Sequence, residues 1–378
     1  MFGKRIDLFK LFGFAVRLDM SWAIIVVLVT WSLAEGFFPS HYGGLSRVTY
    51  WGMGAAGALG LFGSIIFHEL SHSLVARRYG LPIKGITLFI FGGVAEMDEE
   101  PPSPKAEFLM AMAGPIASVV LGIGFYGLYQ VSKASGWSKP VIGVIGYLGF
   151  INGLLAAFNL IPGFPLDGGR ILRSILWGWK NNLRWATRIA SKIGAGFGLV
   201  LILLGALNVL RGELVGGMWW VLIGLFLRNA ATMSYQQLMV RKALEGEPVR
   251  RFMVPKPVTV SPSISIEQLV EDYIYKHHFK MYPVVEDSKL TGCITIQQVK
   301  GIPRSEWRQR TVGELAKPCS PDNTIHPEDD ATKALSSMSR NRASRLMVVD
   351  GDRLVGIIAL KDMLTFLSLK VELEEEEG

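Results

Sequence analysis

The pentapeptide His68-Glu69-Leu70-Ser71-His72 brings three ionisable side chains together within a long apolar stretch. On a helix, residues four apart share one face, so His68 and His72 can reach a single metal ion. The carboxylate of Glu69 lies beside them, where it can take a proton from a metal-bound water. The residue types and their spacing predict a hydrolytic zinc site. Ionisable residues are costly inside a bilayer, so their position in an apolar stretch also indicates function.

A hydrolytic zinc site needs a third protein ligand, and a later apolar segment supplies a candidate. This segment ends Asn159-Leu160-Ile161-Pro162-Gly163-Phe164-Pro165-Leu166-Asp167-Gly168-Gly169-Arg170. Its prolines and glycine predict that the helix ends here and that the backbone turns inward. Both segments are expected to end on the same side of the membrane, so Asp167 can reach His68 and His72.

The composition divides the chain into two halves. The 378 residues carry a formal net charge of +7 and are 50% hydrophobic, and the mean hydropathy is +0.32. Long apolar runs dominate residues 21–235, whereas residues 249–370 have an ordinary charge density. We therefore expect a membrane domain over residues 1–240, followed by a soluble domain. Many Lys and Arg residues flank apolar segments, which argues against nucleic acid as a partner.

The apolar half predicts a polytopic α-helical membrane domain. Six segments have about the 17–25 residues that a membrane helix needs, namely residues 21–38, 50–76, 108–132, 141–162, 189–210 and 216–231. Lys and Arg concentrate before the first segment and after the second and fourth. Because such charges stay on the cytoplasmic side, both termini and the soluble domain are predicted to be cytoplasmic, in a multi-pass protein of the cell membrane.

The two motifs together resemble the site-2 protease family, the intramembrane zinc metalloproteases of peptidase family M50. The resemblance covers about residues 1–235. It implies one Zn²⁺ held by His68, His72 and Asp167, with Glu69 as the general base. It also implies that Asn159 holds the substrate backbone or the oxyanion, the alternative being an interhelical hydrogen bond without a catalytic role. Ala113-Gly114-Pro115 matches a further family motif of close packing beside the site.

The segment after the first motif is too short to span a membrane. Residues 85–95 are rich in β-branched and aromatic residues and end near a Gly pair, which predicts a strand with a turn. The resemblance suggests a membrane-associated β hairpin whose edge pairs with an unwound substrate, the alternative being a simple connection. The acidic residues 98–100 and the following prolines predict a solvated linker.

The soluble half contains an internal repeat of strand, helix, strand, turn, strand and helix. It resembles a tandem pair of CBS domains, over residues 249–308 and 309–370, before an acidic tail at 371–378 that is predicted to be disordered. The resemblance implies an adenine nucleotide such as ATP bound at Asp362 in the second repeat. The first repeat has Gln298 in the equivalent place, so at most one well-formed nucleotide site is expected. The alternatives are a module for homodimerisation or for substrate docking.

The sequence thus predicts six membrane helices with a short β hairpin, and a soluble α/β CBS pair. The predicted function is an intramembrane zinc metalloprotease that cleaves transmembrane proteins near the cytosolic side of the lipid bilayer. The alternatives are a membrane transporter regulated by the CBS pair and a catalytically inactive membrane scaffold.

Overall fold

A computed structural model describes residues 5–81, 83–89, 92–97, 100–287, 289–341 and 343–374. The chain divides into two compact units, Met1–Gln236 and Gln237–Gly378.

Five described helices of the first unit are long and apolar enough to cross a membrane. They are α1 (Ser21–His41), α2 (Arg47–Arg78), α3 (Pro104–Ala134), α4 (Lys139–Asn159) and α6 (Leu183–Leu210), with α5 (Asp167–Lys180) between the last two. These five helices overlap the first five predicted spans. The sixth predicted span, residues 216–231, falls within helix α7 (Leu214–Leu244), and its crossing of the membrane stays a prediction.

Side-chain caps define where the long helices begin. The hydroxyl of Ser46 accepts a hydrogen bond from the amide of Thr49 and starts α2. The hydroxyl of Ser103 does the same for Ala106 at the start of α3, where Pro104 fills the first turn. Such caps satisfy amides that have no partner inside the helix, which matters most where the surroundings are apolar.

Glycines allow the membrane helices to approach closely, as their spacing in the sequence predicts. A Cβ atom on Gly54 of α2 would lie 2.7 Å from the carbonyl oxygen of Thr30 in α1. Between α6 and α7, a Cβ on Gly205 would lie 2.7 Å from the carbonyl oxygen of Gly217. Because lipid supplies no hydrophobic force between helices, this backbone contact provides the packing energy.

A four-stranded sheet accompanies the helices, in the order β1 (Arg5–Leu11), β2 (Phe14–Asp19), β3 (Ile83–Phe89) and β4 (Gly92–Met97). The antiparallel pair β3–β4 is the predicted hairpin after the H-E-x-x-H motif. The hairpin β1–β2 was not predicted from the sequence, and β2 joins the two hairpins by pairing in parallel with β3.

The second unit has the α/β architecture expected of a CBS pair. The first repeat contains α8 (Ile266–Gln268, continued by Leu269–Ile274 and Tyr275–His277), β6 (Met281–Glu286), β7 (Lys289–Thr295) and α9 (Ile296–Lys300), after a short strand β5 (Val254–Pro255). The second contains α10 (Val312–Leu315), β8 (Lys317–Pro318), β9 (Thr324–Ile325), α11 (Ala331–Asn341), β10 (Arg345–Asp350), β11 (Arg353–Ala359) and α12 (Leu360–Glu374). Single 3-10 turns cover Val249–Arg251 and Arg304–Glu306.

The two repeats exchange short strands. Strand β5, near the start of the first repeat, pairs with β11 of the second repeat. Strand β8, which precedes the hairpin of the second repeat, pairs with β7 of the first. The sheets are therefore ordered β5-β11-β10-β9 and β6-β7-β8. This exchange joins the repeats into one unit.

The acidic end of the chain differs in part from the expected disordered tail. Helix α12 continues to Glu374, so residues 371–374 are helical. Residues 375–378 lie outside the described part of the chain.

Candidate metal centre

Three potential ligand atoms converge between α2 and the start of α5. The Nε2 atoms of His68 and His72 are 3.1 Å apart, and Asp167 Oδ2 lies 3.0 Å from the first and 3.2 Å from the second. His68 is buried, and the side chains of His72 and Asp167 are 14% and 15% exposed. The three residues form a group that could hold a metal ion.

The orientation of the imidazoles fits a metal at their centre. Nδ1 of His72 donates to the carbonyl oxygen of Met110 at 2.6 Å, and Nδ1 of His68 bonds to the hydroxyl of Ser118 at 2.9 Å. These bonds occupy both Nδ1 atoms and leave both Nε2 atoms facing Asp167 Oδ2. Ligands of a tetrahedral zinc lie roughly 3.4 Å from one another, close to the observed separations.

Helix α3 supports the histidines from behind, through Gly114. A Cβ atom on Gly114 would lie 2.5 Å from His68 Nε2 and would collide with the ring of His72. Met110 and Ser118, which hold the two Nδ1 atoms, lie four residues to either side of Gly114 on the same helix. This face of α3 therefore fixes both rings.

The loop before α5 delivers Asp167. The amide of Phe164 donates to the carbonyl oxygen of Ala190 in α6, and a Cβ on Gly163 would lie 2.7 Å from Gly194 Cα. Asp167 then occupies the first turn of α5, where the helix dipole favours an anion. Burial raises the pKa of the Asp167 carboxyl, but His72 and His68 outweigh that effect and hold the pKa below its usual value.

The carboxylate of Glu69 lies where α2 meets strand β4. A Cβ atom on Gly93 would lie 2.6 Å from Glu69 Cγ and 3.2 Å from Ile65 Cγ2. The absence of a side chain at Gly93 therefore lets β4 approach the H-E-x-x-H helix. Strand β4 therefore lies beside the predicted general base, Glu69.

The comparisons with known proteins identify the family. The family model of peptidase family M50 matches residues 56–141 and 127–204, and that of the CBS domain matches residues 249–302 and 312–369. A putative zinc metalloprotease of Mycobacterium tuberculosis is 35% identical over 366 residues, which cover 96% of this chain and 93% of its relative. The chain belongs to peptidase family M50. A zinc metalloprotease of Methanocaldococcus jannaschii is 33% identical over 373 residues, 98% of either chain. A solved site-2 protease from the same organism is 31% identical, covers 61% of this chain and 94% of that one, and has a TM-score of 0.44.

This M50 peptidase is a multi-pass membrane protein and a zinc metalloprotease with tandem CBS domains. The two curated relatives named above are called zinc metalloproteases, not transporters or scaffolds.

Asn159 is the last residue of α4, and its side chain is half-buried. Its Nδ2 donates to the carbonyl oxygen of Leu155 in the same helix at 2.9 Å. The interhelical hydrogen bond that the sequence suggested for Asn159 is instead made by Asn152, which is fully buried and donates to Ser64 Oγ of α2 at 2.9 Å. Ser64 lies one turn before His68, so this bond braces the motif helix.

Asp362 lies in the first turn of α12, directly after β11, and is half-buried. In the first repeat, Gln298 caps α9 by accepting a hydrogen bond from the amide of Thr295, and its Nε2 donates to the carbonyl oxygen of Leu315. The Gln298 amide is therefore occupied within the protein.

Several residues that hold the site were not predicted from the sequence. They are Ser118, the Met110 carbonyl, Asn152 and an ion pair between α3 and α5. Ser118 carried a usable signal, because it is a polar residue one helical turn after Gly114. A backbone carbonyl carries no such signal.

Proposed function

We propose that this M50 peptidase cleaves transmembrane proteins near the cytosolic face of the cell membrane, with one Zn²⁺ held by His68, His72 and Asp167. The observation that carries the proposal is the convergence of two Nε2 atoms and one carboxylate oxygen within 3.2 Å of one another. Two neutral imidazoles and a carboxylate form a ligand set of hydrolytic zinc enzymes.

The residues divide the chemistry among themselves. Bound zinc would lower the pKa of its water toward about 7 and polarise the scissile carbonyl. Glu69 takes the proton of the attacking water and passes it to the leaving amine. Asn159 exchanges its bond to Leu155 for one to the substrate backbone or oxyanion.

The depth of the site supports cleavage close to the cytosol. Arg77 and Arg78 end α2 and mark its cytoplasmic end by their charge. His72 lies five residues before Arg77, which is about 7–8 Å along the helix. Water therefore has a short path to the site. The same charge pattern predicts that both termini are cytoplasmic.

Strand β4 is the proposed platform for the substrate. A helical peptide hides its scissile bond, so the substrate must be extended before it is cut. Strand β4 is the last strand in the described sheet order, and it approaches Glu69 at Gly93. An unwound substrate segment that pairs with β4, on the side where no described strand lies, would extend across the site.

The mechanism is tested with a Glu69→Gln variant and a model transmembrane substrate in detergent. We expect the cleavage rate to fall by about 10²–10⁴-fold while the zinc content is retained, because general base catalysis contributes this much. Glu35→Gln, on the exposed pair of Glu35 with Arg47, is the matched control. Undiminished cleavage by Glu69→Gln would refute the mechanism.

The CBS pair is proposed to regulate the protease through an adenine nucleotide at Asp362, or to serve in homodimerisation or substrate docking. The occupied amide of Gln298 supports a single nucleotide site. ATP binding is measured by calorimetry on wild type, Asp362→Ala and the exposed control Asp352→Ala. We expect loss of binding, and of any ATP effect on cleavage, in Asp362→Ala alone. No ATP binding by wild type would leave the dimerisation and docking roles.

A further inference from the structure

An ion pair that the proposed chemistry does not use is buried between α3 and α5. Arg173 of α5 is 6% exposed and Glu107 of α3 is 1% exposed. Arg173 Nε donates to Glu107 Oε1 at 2.5 Å, and its Nη2 donates to Glu100 Oε2 at 3.1 Å. Glu100, whose side chain is 35% exposed, belongs to the predicted solvated linker, of which residues 98 and 99 lie outside the described part of the chain.

Arg173 is connected to the segment that delivers Asp167. It lies six residues after Asp167 on the same helix, about 9 Å along the axis. Its guanidinium also lies over the ring of Phe164, 5.2 Å from the centroid. Phe164 belongs to the loop that precedes Asp167, so Arg173 holds both the helix and the loop.

Glu107 is connected to the histidines. It lies three residues before Met110, whose carbonyl oxygen accepts from His72 Nδ1, and seven residues before Gly114, which packs against both rings. The pair between Glu107 and Arg173 therefore joins the helix that orients the histidines to the helix that carries the carboxylate ligand.

Packing alone does not require charges at this place. Two buried charges are costly to desolvate, and apolar residues of similar volume often stabilise a fold as well or better. What an ion pair adds is a fixed geometry, because the planar guanidinium binds two carboxylates in defined directions.

We propose that Glu107, Arg173 and Glu100 form a positioning clamp that sets the distance of Asp167 from His68 and His72. The clamp acts through the ligands and does not touch the substrate. The inference rests on the proposed ligand set, and it adds residues that set the affinity of that set for zinc.

The test replaces both charges at once, as Glu107→Met with Arg173→Met, in the full-length protein. Removing one partner would leave an unpaired buried charge and endanger folding, whereas the double replacement keeps the volume. Zinc affinity is measured by competition with a chelator, together with kcat and KM. We expect a zinc affinity about 10–100-fold lower, the usual effect of removing groups that orient ligands. We also expect a lower kcat with an unchanged KM, and an unchanged Tm when both proteins are compared free of zinc, because bound zinc itself raises the Tm.

Two further variants make the result decisive. Lys180→Met removes an exposed charge from the same helix and should leave zinc affinity unchanged. Arg173→Lys keeps the charge beside Glu107 but loses the planar fork, so it should fold and still bind zinc more weakly than wild type. If the double variant does not fold, the zinc affinity of Arg173→Lys tests the clamp instead.

Zinc affinity of the folded double variant within about twofold of wild type would overturn the clamp, since loss of an orienting group costs tenfold or more. So would a lower Tm with unchanged zinc affinity, because the pair would then serve stability alone. Asp167→Asn separates the clamp from the ligand set. If that variant binds zinc like wild type, the proposed ligand set is wrong, whatever the clamp does.

Discussion

Replacing Gly114 with alanine should separate zinc binding from folding. Gly114 lies in α3 between the two groups that orient the histidines, and its missing side chain leaves room for both rings. The substitution adds one methyl group and removes no hydrogen bond. Alanine also favours a helix over glycine by about 1 kcal/mol, so the helix itself should not be weakened.

The size of the effect follows from the contact distances. The new Cβ would lie 2.5 Å from His68 Nε2, and it would collide with the ring of His72. A carbon and a nitrogen in van der Waals contact are roughly 3.5 Å apart, so the ring must retreat by about 1 Å. A displacement of this size in a catalytic site costs about 100-fold in rate.

The assay compares zinc content, cleavage of a model transmembrane substrate and thermal unfolding in Gly114→Ala and Gly124→Ala. Gly124 lies in the same helix, and nothing is within 4 Å of its would-be Cβ, so its substitution makes the same chemical change without the clash. We expect Gly114→Ala to fold but to lose most of its zinc and activity, and Gly124→Ala to resemble wild type. A Gly114→Ala variant with wild-type zinc content and rate would refute the reasoning.

Three further outcomes are expected. Ser118→Ala removes the partner of His68 Nδ1 and should weaken zinc binding by about tenfold, measured by chelator competition. Chelation should abolish cleavage and lower the Tm, and added Zn²⁺ should restore both, because ligand binding stabilises the folded state. Burial raises the pKa of the Asp330 carboxyl, but hydrogen bonds from Thr332 and from the Gly246 amide outweigh it and lower the pKa. This stabilisation should be present above the unfolded pKa of about 3.9 and be lost as the pH falls through the lower folded value. Residues 244–249 should be better protected from hydrogen exchange in wild type than in Asp330→Asn, and this difference should shrink as the pH falls. A difference independent of pH would contradict this assignment.

The sequence by itself determined the features that depend on local spacing. His68 and His72 share a helix face because they are four residues apart, and the apolar runs specify five of the described membrane helices. The repeated order of strands and helices resembles a CBS pair, and the family model confirms the resemblance. These features follow from helix period, segment length and composition, which are properties of consecutive residues.

The tertiary structure decided everything that joins distant parts of the chain. Asp167 meets His68 across 99 residues of sequence, and Ser118 meets His68 across 50. The motif had suggested the partnership of Asp167, but only packing fixed its distance from the rings. The bonds of His72 to the Met110 carbonyl and of Arg173 to Glu107 have no local signal at all. Such contacts depend on how closely helices approach. At Gly114 the approach is possible because the residue has no methyl group, which would collide with both histidine rings.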